Sequence, residues 1–359
     1  MTAAIDLLRP DLRDFAGYAS ARRTGANGKV WLNANEAPLP SPIDGGEGLN
    51  RYPDPQPLAL RDRLAQLYGV QPAQLAVTRG SDEGIDLLVR GFCRAGQDAV
   101  LVAPPCFGMY AVSARLQQAP LVEVPLLESD GEWRLDIPGI LSAVASRGVR
   151  VLFLCSPGNP TGQAIALAEI ETLALALDGK AMLVIDEAYG EYSSVPTAAS
   201  LIERFPCLVV LRTLSKAHAL AGARIGAVLA EAQVIAVLRN LSAPYPVPAP
   251  SASLALKAMD AQVLAQSLQR CSQARSRRDQ VAALLARVEG VRRVYPSQGN
   301  FLLVRFLDAQ RAFDALIARG VVVRDMRAMG GLGDALRITI GTDAENQAML
   351  DALRSGGQP

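Results

Sequence analysis

Arg212-Thr-Leu-Ser-Lys216 sets a lysine and two hydroxyls directly after a short apolar run, Leu208–Leu211. Such a run reads as a buried strand, and α/β sheets gather ligands beyond the carboxyl ends of their strands. An amine desolvated there gives up its proton more readily, and the neutral amine condenses with aldehydes, so a Schiff-base lysine is one reading of Lys216. A solvated loop lysine is the other. Val184-Ile-Asp-Glu-Ala-Tyr189 ends a second apolar run with a carboxylate, Asp186, and a phenol, Tyr189. A carboxylate in that place can hold a protonated pyridine nitrogen through a charge-assisted hydrogen bond. It would equally suit a magnesium ion of a nucleotide hydrolase, but the G-x-x-x-x-G-K-[ST] loop such an enzyme needs is missing.

Two turn-rich strings complete the set. Ser156-Pro-Gly-Asn-Pro-Thr-Gly162 follows the apolar run Val151–Leu154 and reads as a β-α turn, stiff enough for the Asn159 amide to donate to a phenolate-type oxygen. Gly80-Ser-Asp-Glu-Gly84 stands between a strand and a helix, with Ser81 or Asp82 suited to N-capping. The same helix start would offer amides and a positive dipole end to a phosphate, Asp82 contributing backbone rather than carboxylate. Arg224 is the natural permanent cation for that phosphate.

The elements that must position these groups follow from periodicity. Leu75–Thr78, Ala99–Val102, Leu121–Val124, Val151–Leu154, Met182–Ile185, Leu208–Leu211 and Ile225–Leu229 are strand-sized apolar runs, with helices such as Glu83–Cys93 and Leu167–Leu177 between them. That rhythm predicts an α/β fold: a large domain with a mostly parallel sheet sandwiched by helices. Prolines in Leu241–Pro250 mark an extended connection, followed by a helical pattern over Ser251–Val288 and strands at Asn300–Phe306, Val321–Arg324 and Leu336–Ile340, a smaller α+β domain. The organisation expected is an N-terminal arm over 1–50, a large domain over 51–250 and a small C-terminal domain over 251–359.

Composition removes other chemistries. The charges, 36 Lys+Arg against 35 Asp+Glu, leave no basic excess for nucleic acid. No apolar stretch approaches the roughly 20 residues that cross a bilayer, and Asp6, Arg9, Asp11, Arg13 and Asp14 interrupt any secretory core, which predicts a cytoplasmic protein. The single histidine, His218, is too few for an imidazole-rich metal site, and no G-x-S-x-G elbow supplies a triad nucleophile. Five cysteines without a C-x-x-C pair read as buried free thiols. No metal is expected.

Together the four strings resemble those of the fold-type I pyridoxal-phosphate aminotransferases, from the arm to the last strand. Tyr18-Ala-Ser-Ala-Arg-Arg23, Trp31-Leu-Asn-Ala-Asn-Glu36, Asn50-Arg-Tyr-Pro53, Arg79-Gly-Ser-Asp-Glu-Gly84, Arg212-Thr-Leu-Ser-Lys-Ala217 and Leu336-Arg-Ile-Thr-Ile-Gly341 are similar more closely to the histidinol-phosphate aminotransferase family. The resemblance implies pyridoxal 5'-phosphate bound covalently by Lys216, which then moves the proton, with Asp186 on the pyridinium and Asn159 and Tyr189 on the ring's phenolic oxygen. It implies Phe107 stacked on the ring and the cofactor phosphate held at Ser81, Asp82, Thr213, Ser215 and Arg224, with Tyr52 reaching in from a second subunit of a homodimer with shared active sites. It also implies a substrate pocket of Tyr18, Asn35 and Asn300, with Arg324 and Arg337 gripping a phosphate.

The reaction so implied passes the amine of L-histidinol phosphate to 2-oxoglutarate, giving imidazole-acetol phosphate and glutamate, in histidine biosynthesis. A broad or aromatic amino-acid aminotransferase, a phosphothreonine-type decarboxylase and a noncatalytic regulatory domain are the alternatives on the same scaffold. The chain departs from the family pattern at Gly158, where asparagine is frequent, at Phe107, where tyrosine is common, and at His218, where phenylalanine is frequent. Phe107 keeps a stacking face but leaves any polar contact made there by relatives in doubt. His218 is read as packed or solvated rather than as a proton relay.

Overall fold

The computed structural model describes residues 3–22 and 29–355; Arg23, the end of one motif above, lies outside them, as does part of the expected arm. The chain builds α1 (Leu58–Tyr68), β1 (Leu75–Thr78), α2 (Ser81–Phe92), β2 (Ala99–Val102), α3 (Met109–Leu116) and β3 (Leu121–Glu123), then a hairpin of β4 (Leu127–Ser129) and β5 (Glu132–Arg134). It continues with α4 (Ile137–Ser146), β6 (Val149–Cys155), α5 (Leu167–Leu177), β7 (Met182–Asp186), β8 (Leu208–Thr213), β9 (Gly226–Leu229) and α6 (Ala232–Leu241). After α7 (Ala249–Ala258) and α8 (Ala261–Leu285) come β10 (Val291–Val294), β11 (Phe301–Phe306), α9 (Ala309–Ala318), β12 (Arg324–Asp325), β13 (Ala335–Thr339) and α10 (Asp343–Ser355).

Seven strands form one sheet in the order β1-β9-β8-β7-β6-β2-β3. Only β9 runs against its neighbours, pairing antiparallel with both β1 and β8. Central strands such as β7 are apolar up to their last residue because both faces are covered: Leu183 and Ile185 join one core, and Met182 and Val184 the other. Ala4, Leu7 and Leu8 of the arm sit in the second core, and the Arg9 amide donates to the Gly91 carbonyl at 3.1 Å. A four-stranded antiparallel sheet, β10-β11-β13-β12, carries its own core with α8, α9 and α10.

Three element expectations are corrected. The helical pattern over Ser251–Val288 is two helices, because the Asp260 carboxylate accepts the Gln262 amide (2.9 Å) and starts α8 afresh. The connection does not stay extended to Pro250: α7 begins at Ala249, since a proline in the first turn gives up no hydrogen bond. Ala255 and Met259 pack into the core under the large sheet, and we therefore propose a division of the chain near Asp260. The strand expected over Val321–Arg324 shrinks to β12, because the Val321 amide closes α9 by donating to the Leu316 carbonyl.

Among the described residues, no helix is long and apolar enough to cross a membrane, and no cluster of His, Cys, Asp and Glu is arranged to hold a metal ion. All five cysteines are free; Cys93, Cys207 and Cys271 are buried, whereas Cys106 and Cys155 are only partly so.

Candidate active site

Strands β6, β7 and β8 deliver Cys155, Asp186 and Thr213 to one end of the large sheet, and the loops beyond them close on the first turn of α2. The result is a cavity of about 130 Å³ lined by Ser81, Asp82, Phe107, Asn159, Asp186, Tyr189, Thr213, Ser215, Lys216 and Arg224. Cys155, Ala188 and Ala221 complete the wall, and sequence reading had given none of these three a place in a site.

At one end the sheet and helix meet without slack. A Cβ on Gly226 would lie 2.4 Å from the Gly80 carbonyl carbon and 2.6 Å from the Ser81 nitrogen, so only glycine admits this approach of β9 to the start of α2. Gly80 has φ +74°, and a Cβ on it would meet Arg224 Nη2 at 2.6 Å. The capping expectation is corrected: among the described residues no side chain caps α2, which leaves its first-turn amides, those of the cavity-lining Ser81 and Asp82 included, as donors without an intrahelical partner. Asp82 also differs from expectation, because its carboxylate does point at the site and accepts from Arg224 Nη2 at 2.9 Å. Arg224 Nη1 reaches Ser215 Oγ at 3.4 Å, and Ser215 Oγ lies 2.9 Å from Thr213 Oγ1. Amides, two hydroxyls and a guanidinium so converged are a phosphate-binding set.

At the other end Asp186 is wholly enclosed. Burial pushes its carboxyl up to about 6, against the opposing pull of the Tyr110 hydroxyl on Oδ2 (2.8 Å) and the Ala188 amide on Oδ1 (3.1 Å). Burial and the Arg337 guanidinium lower the pKa of Lys216, with a further push from Arg224. Its Nζ stands 5.7 Å from the centroid of the Tyr189 ring, which packs edge-on against Phe301 at 5.0 Å. Arg337 donates to Asn159 Oδ1, an orientation that leaves Nδ2 of the amide to donate elsewhere.

The remaining expected residues are placed less uniformly. Arg324 lies opposite Arg337 in the β12–β13 ladder, and neither forms an ion pair among the described residues. Burial and then the charge of Arg324 lower the pKa of Arg337, so the two guanidiniums oppose one another. Asn300 is half-buried at the head of β11, its carbonyl accepting the Ile340 amide at 2.9 Å. Tyr18, Asn35 and Tyr52 do not line the cavity of their own chain: Tyr18 and Asn35 are exposed, and Tyr52 stacks on Tyr245 with ring centroids 4.5 Å apart. His218 is packed, its side chain 3% exposed and its Nε2 3.6 Å from Glu191.

The donor set fits pyridoxal 5'-phosphate: uncapped amides and Arg224 for the phosphate, Asp186 for the pyridine nitrogen, a lysine for the aldehyde and Phe107 for a ring face. Comparison with known proteins agrees. A model of the family "Aminotransferase class I and II" matches residues 24–353. Histidinol-phosphate aminotransferase of Xanthomonas euvesicatoria pv. vesicatoria is 57% identical over 353 residues, covering 98% of this chain and 97% of that protein. The enzyme of that name from Xylella fastidiosa strain Temecula1 is 55% identical over 350 residues, covering 98% and 96%. Among solved structures, histidinol-phosphate aminotransferase from Sinorhizobium meliloti in complex with pyridoxal-5'-phosphate superposes with a TM-score of 0.74 at 28% identity, over 85% of this chain and 82% of that one. The chain belongs to the class I and II aminotransferases, is built on the fold-type I architecture and is a pyridoxal-phosphate-dependent transaminase.

Proposed function

We propose that the protein moves the amino group of L-histidinol phosphate to 2-oxoglutarate, releasing imidazole-acetol phosphate and glutamate, in histidine biosynthesis. The observation that carries this choice of substrate is the Arg324–Arg337 pair, two adjacent guanidiniums without a carboxylate partner among the described residues, one of them hydrogen-bonded to the cavity residue Asn159. Two such groups suit a phosphate dianion better than a single carboxylate. The names of the curated relatives support the same reading.

Pyridoxal phosphate, when bound, supplies the electron sink for the carbon that carries the amine. The chain's own residues do the rest. Asp186 holds a proton on the pyridine nitrogen by charge pairing. Asn159 Nδ2 and the Tyr189 hydroxyl would hold the phenolic oxygen, and Phe107 would cover one ring face and exclude water. Lys216, its basicity lowered by burial and by Arg337, is the amine that would hold the cofactor's aldehyde and the base that would move the proton at its Nζ. Ser81, Asp82, Thr213, Ser215 and Arg224 anchor the cofactor phosphate. Asp82 holds Arg224 in place and leaves its own amide for the anion.

Tyr52, Tyr18 and Asn35 belong to the site of a second copy. Val30, Leu32, Leu39 and Ile43 in the same arm are 76–93% exposed in the single chain, an apolar surface that a homodimer would cover. The five free thiols suit a reducing cytoplasm.

A donor panel tests the proposal. Preference for histidinol phosphate over unphosphorylated histidinol and over carboxylated amino acids is expected. Preference for a carboxylated donor would indicate a general aminotransferase, and carbon dioxide release from a phosphorylated amino acid would indicate a decarboxylase.

A further inference from the structure

Tyr110 escapes sequence reading because nothing but a place three residues after Phe107 marks it. It is fully buried, its ring stacked on Phe153 (centroids 4.8 Å apart, planes 5° apart) and edge-on to Phe107 at 5.7 Å. Its hydroxyl donates to Asp186 Oδ2 at 2.8 Å while the Ala188 amide donates to Oδ1 at 3.1 Å. Each carboxylate oxygen therefore holds one fixed donor, and the plane of the carboxylate is set by the protein alone. The stacked Phe153 ring and the edge contact with Phe107 keep the Tyr110 ring from turning, so the hydroxyl cannot leave without opening the core around Phe153.

We propose that Tyr110 is a positioning residue for cofactor binding: it holds Asp186 as an oriented carboxylate whose free lone pairs receive the pyridinium N–H. This rests on the assignment of Asp186 to the pyridine nitrogen made above. The groups facing Asp186 are Tyr110 from α3, Cys155 at the end of β6, Asp82 from α2, the adjoining Glu187, and Lys216 beyond β8. Burial favours the neutral acid, and Asp82 and Glu187 push the same way, whereas the Tyr110 hydroxyl and the Ala188 amide favour the carboxylate. Burial and the charge of Asp186 raise the Tyr110 phenol well above its ordinary value, and burial does the same for the Cys155 thiol. Both keep their protons, so Tyr110 acts as a donor throughout the neutral range.

Pyridoxal phosphate binding to the apoprotein, followed by absorbance from about pH 5.5 to about pH 8.5, tests this in three proteins: wild type, Tyr110→Phe, and protein carrying 3-fluorotyrosine at position 110. Wild-type affinity should fall on the acid side as Asp186 takes a proton. In Tyr110→Phe that acid limb should move up by about one pH unit, giving a loss of roughly tenfold near pH 6 and a smaller one near pH 8. Fluorotyrosine, a stronger donor of almost the same shape, should move the limb down. Titration of the cofactor's own phosphate is common to all three. An unmoved limb, or a loss equal at every pH, would overturn the proposal. The fluorotyrosine protein decides the matter should Tyr110→Phe fold poorly. Failure of wild type to bind the cofactor, or full binding by Asp186→Ala, would instead overturn the assignment of Asp186; normal wild-type binding with unmoved variants overturns Tyr110 alone.

Discussion

Two sets of charges stand one residue apart at the ends of the same strands, and only one is closed upon itself. Glu187 follows Asp186, and Arg212 precedes Thr213, yet both turn away from the cavity. Arg212 donates to Glu187 at 2.5 Å and to Glu191 at 2.6 Å, with its guanidinium 4.7 Å from the Tyr68 ring centroid. Glu187 also accepts the Thr197 hydroxyl at 2.6 Å and the Ala198 amide at 2.7 Å. Gly190 leaves space for this knot, since a Cβ there would lie 2.5 Å from Arg212 Nη1. On the cavity side, Lys216, Arg324 and Arg337 form no ion pair among the described residues. Alternation at the ends of β7 and β8 thus turns Glu187 and Arg212 into the knot and Asp186 and Thr213 toward the cavity, where the loop beyond β8 and the smaller sheet bring in the cations that wait for a ligand. The first set should govern stability and the second turnover.

Substitutions can break that division. Lys216→Ala should show the largest effect, a loss of turnover by several orders of magnitude with the melting temperature of the apoprotein unchanged or raised, because a desolvated amine has been removed. Near-normal turnover would refute the role of Lys216. Arg212→Met should do the reverse: it strands two buried carboxylates, and urea unfolding should show a loss of about 3–5 kcal/mol. A stability change within error would mean that the knot is not structural.

Smaller effects sharpen the same comparison. Arg324→Ala and Arg337→Ala should each raise KM for histidinol phosphate by roughly tenfold or more, with little change for unphosphorylated histidinol. Equal losses on both donors would remove phosphate recognition from the pair. Glu191 provides the mildest test. Burial pushes its carboxyl up, but Arg212 and His218 outweigh burial and bring it down to about 2. A depressed carboxyl adds stability that is complete above the ordinary glutamate range and is lost as pH falls toward 2. Urea midpoints taken between about pH 6 and about pH 3 should therefore fall more steeply in wild type than in Glu191→Gln, the difference amounting to a few kcal/mol at most. Parallel profiles would contradict the assignment.

The sheet was legible because its strands are uninterrupted apolar runs: Leu75–Thr78, Ala99–Val102 and α5 over Leu167–Leu177 coincide with the expected spans. The groups around the cavity were legible for a related reason, since all but Phe107 and Arg224 sit at or just beyond the end of such a run or at a glycine-marked helix start. What escaped depends on contacts between distant segments. Neither the grip of Arg337 on Asn159 nor that of Arg224 on Asp82 leaves a local trace, and Asp260 looks like any polar residue of a long helix until its carboxylate accepts the Gln262 amide. The β4–β5 hairpin did carry a signal in Asp130-Gly131, whose φ values of 53° and 83° are those of a tight hairpin turn, but its strands are too short and too polar to stand out.

The most direct test is a half-reaction. Protein loaded with pyridoxal phosphate is mixed with L-histidinol phosphate and no acceptor, while the visible spectrum and the products are followed. The account predicts loss of the bound-cofactor absorbance band with one equivalent of imidazole-acetol phosphate formed per site, and return of the band on addition of 2-oxoglutarate. An unchanged spectrum with histidinol phosphate, alongside a full response to an ordinary amino acid, would contradict it.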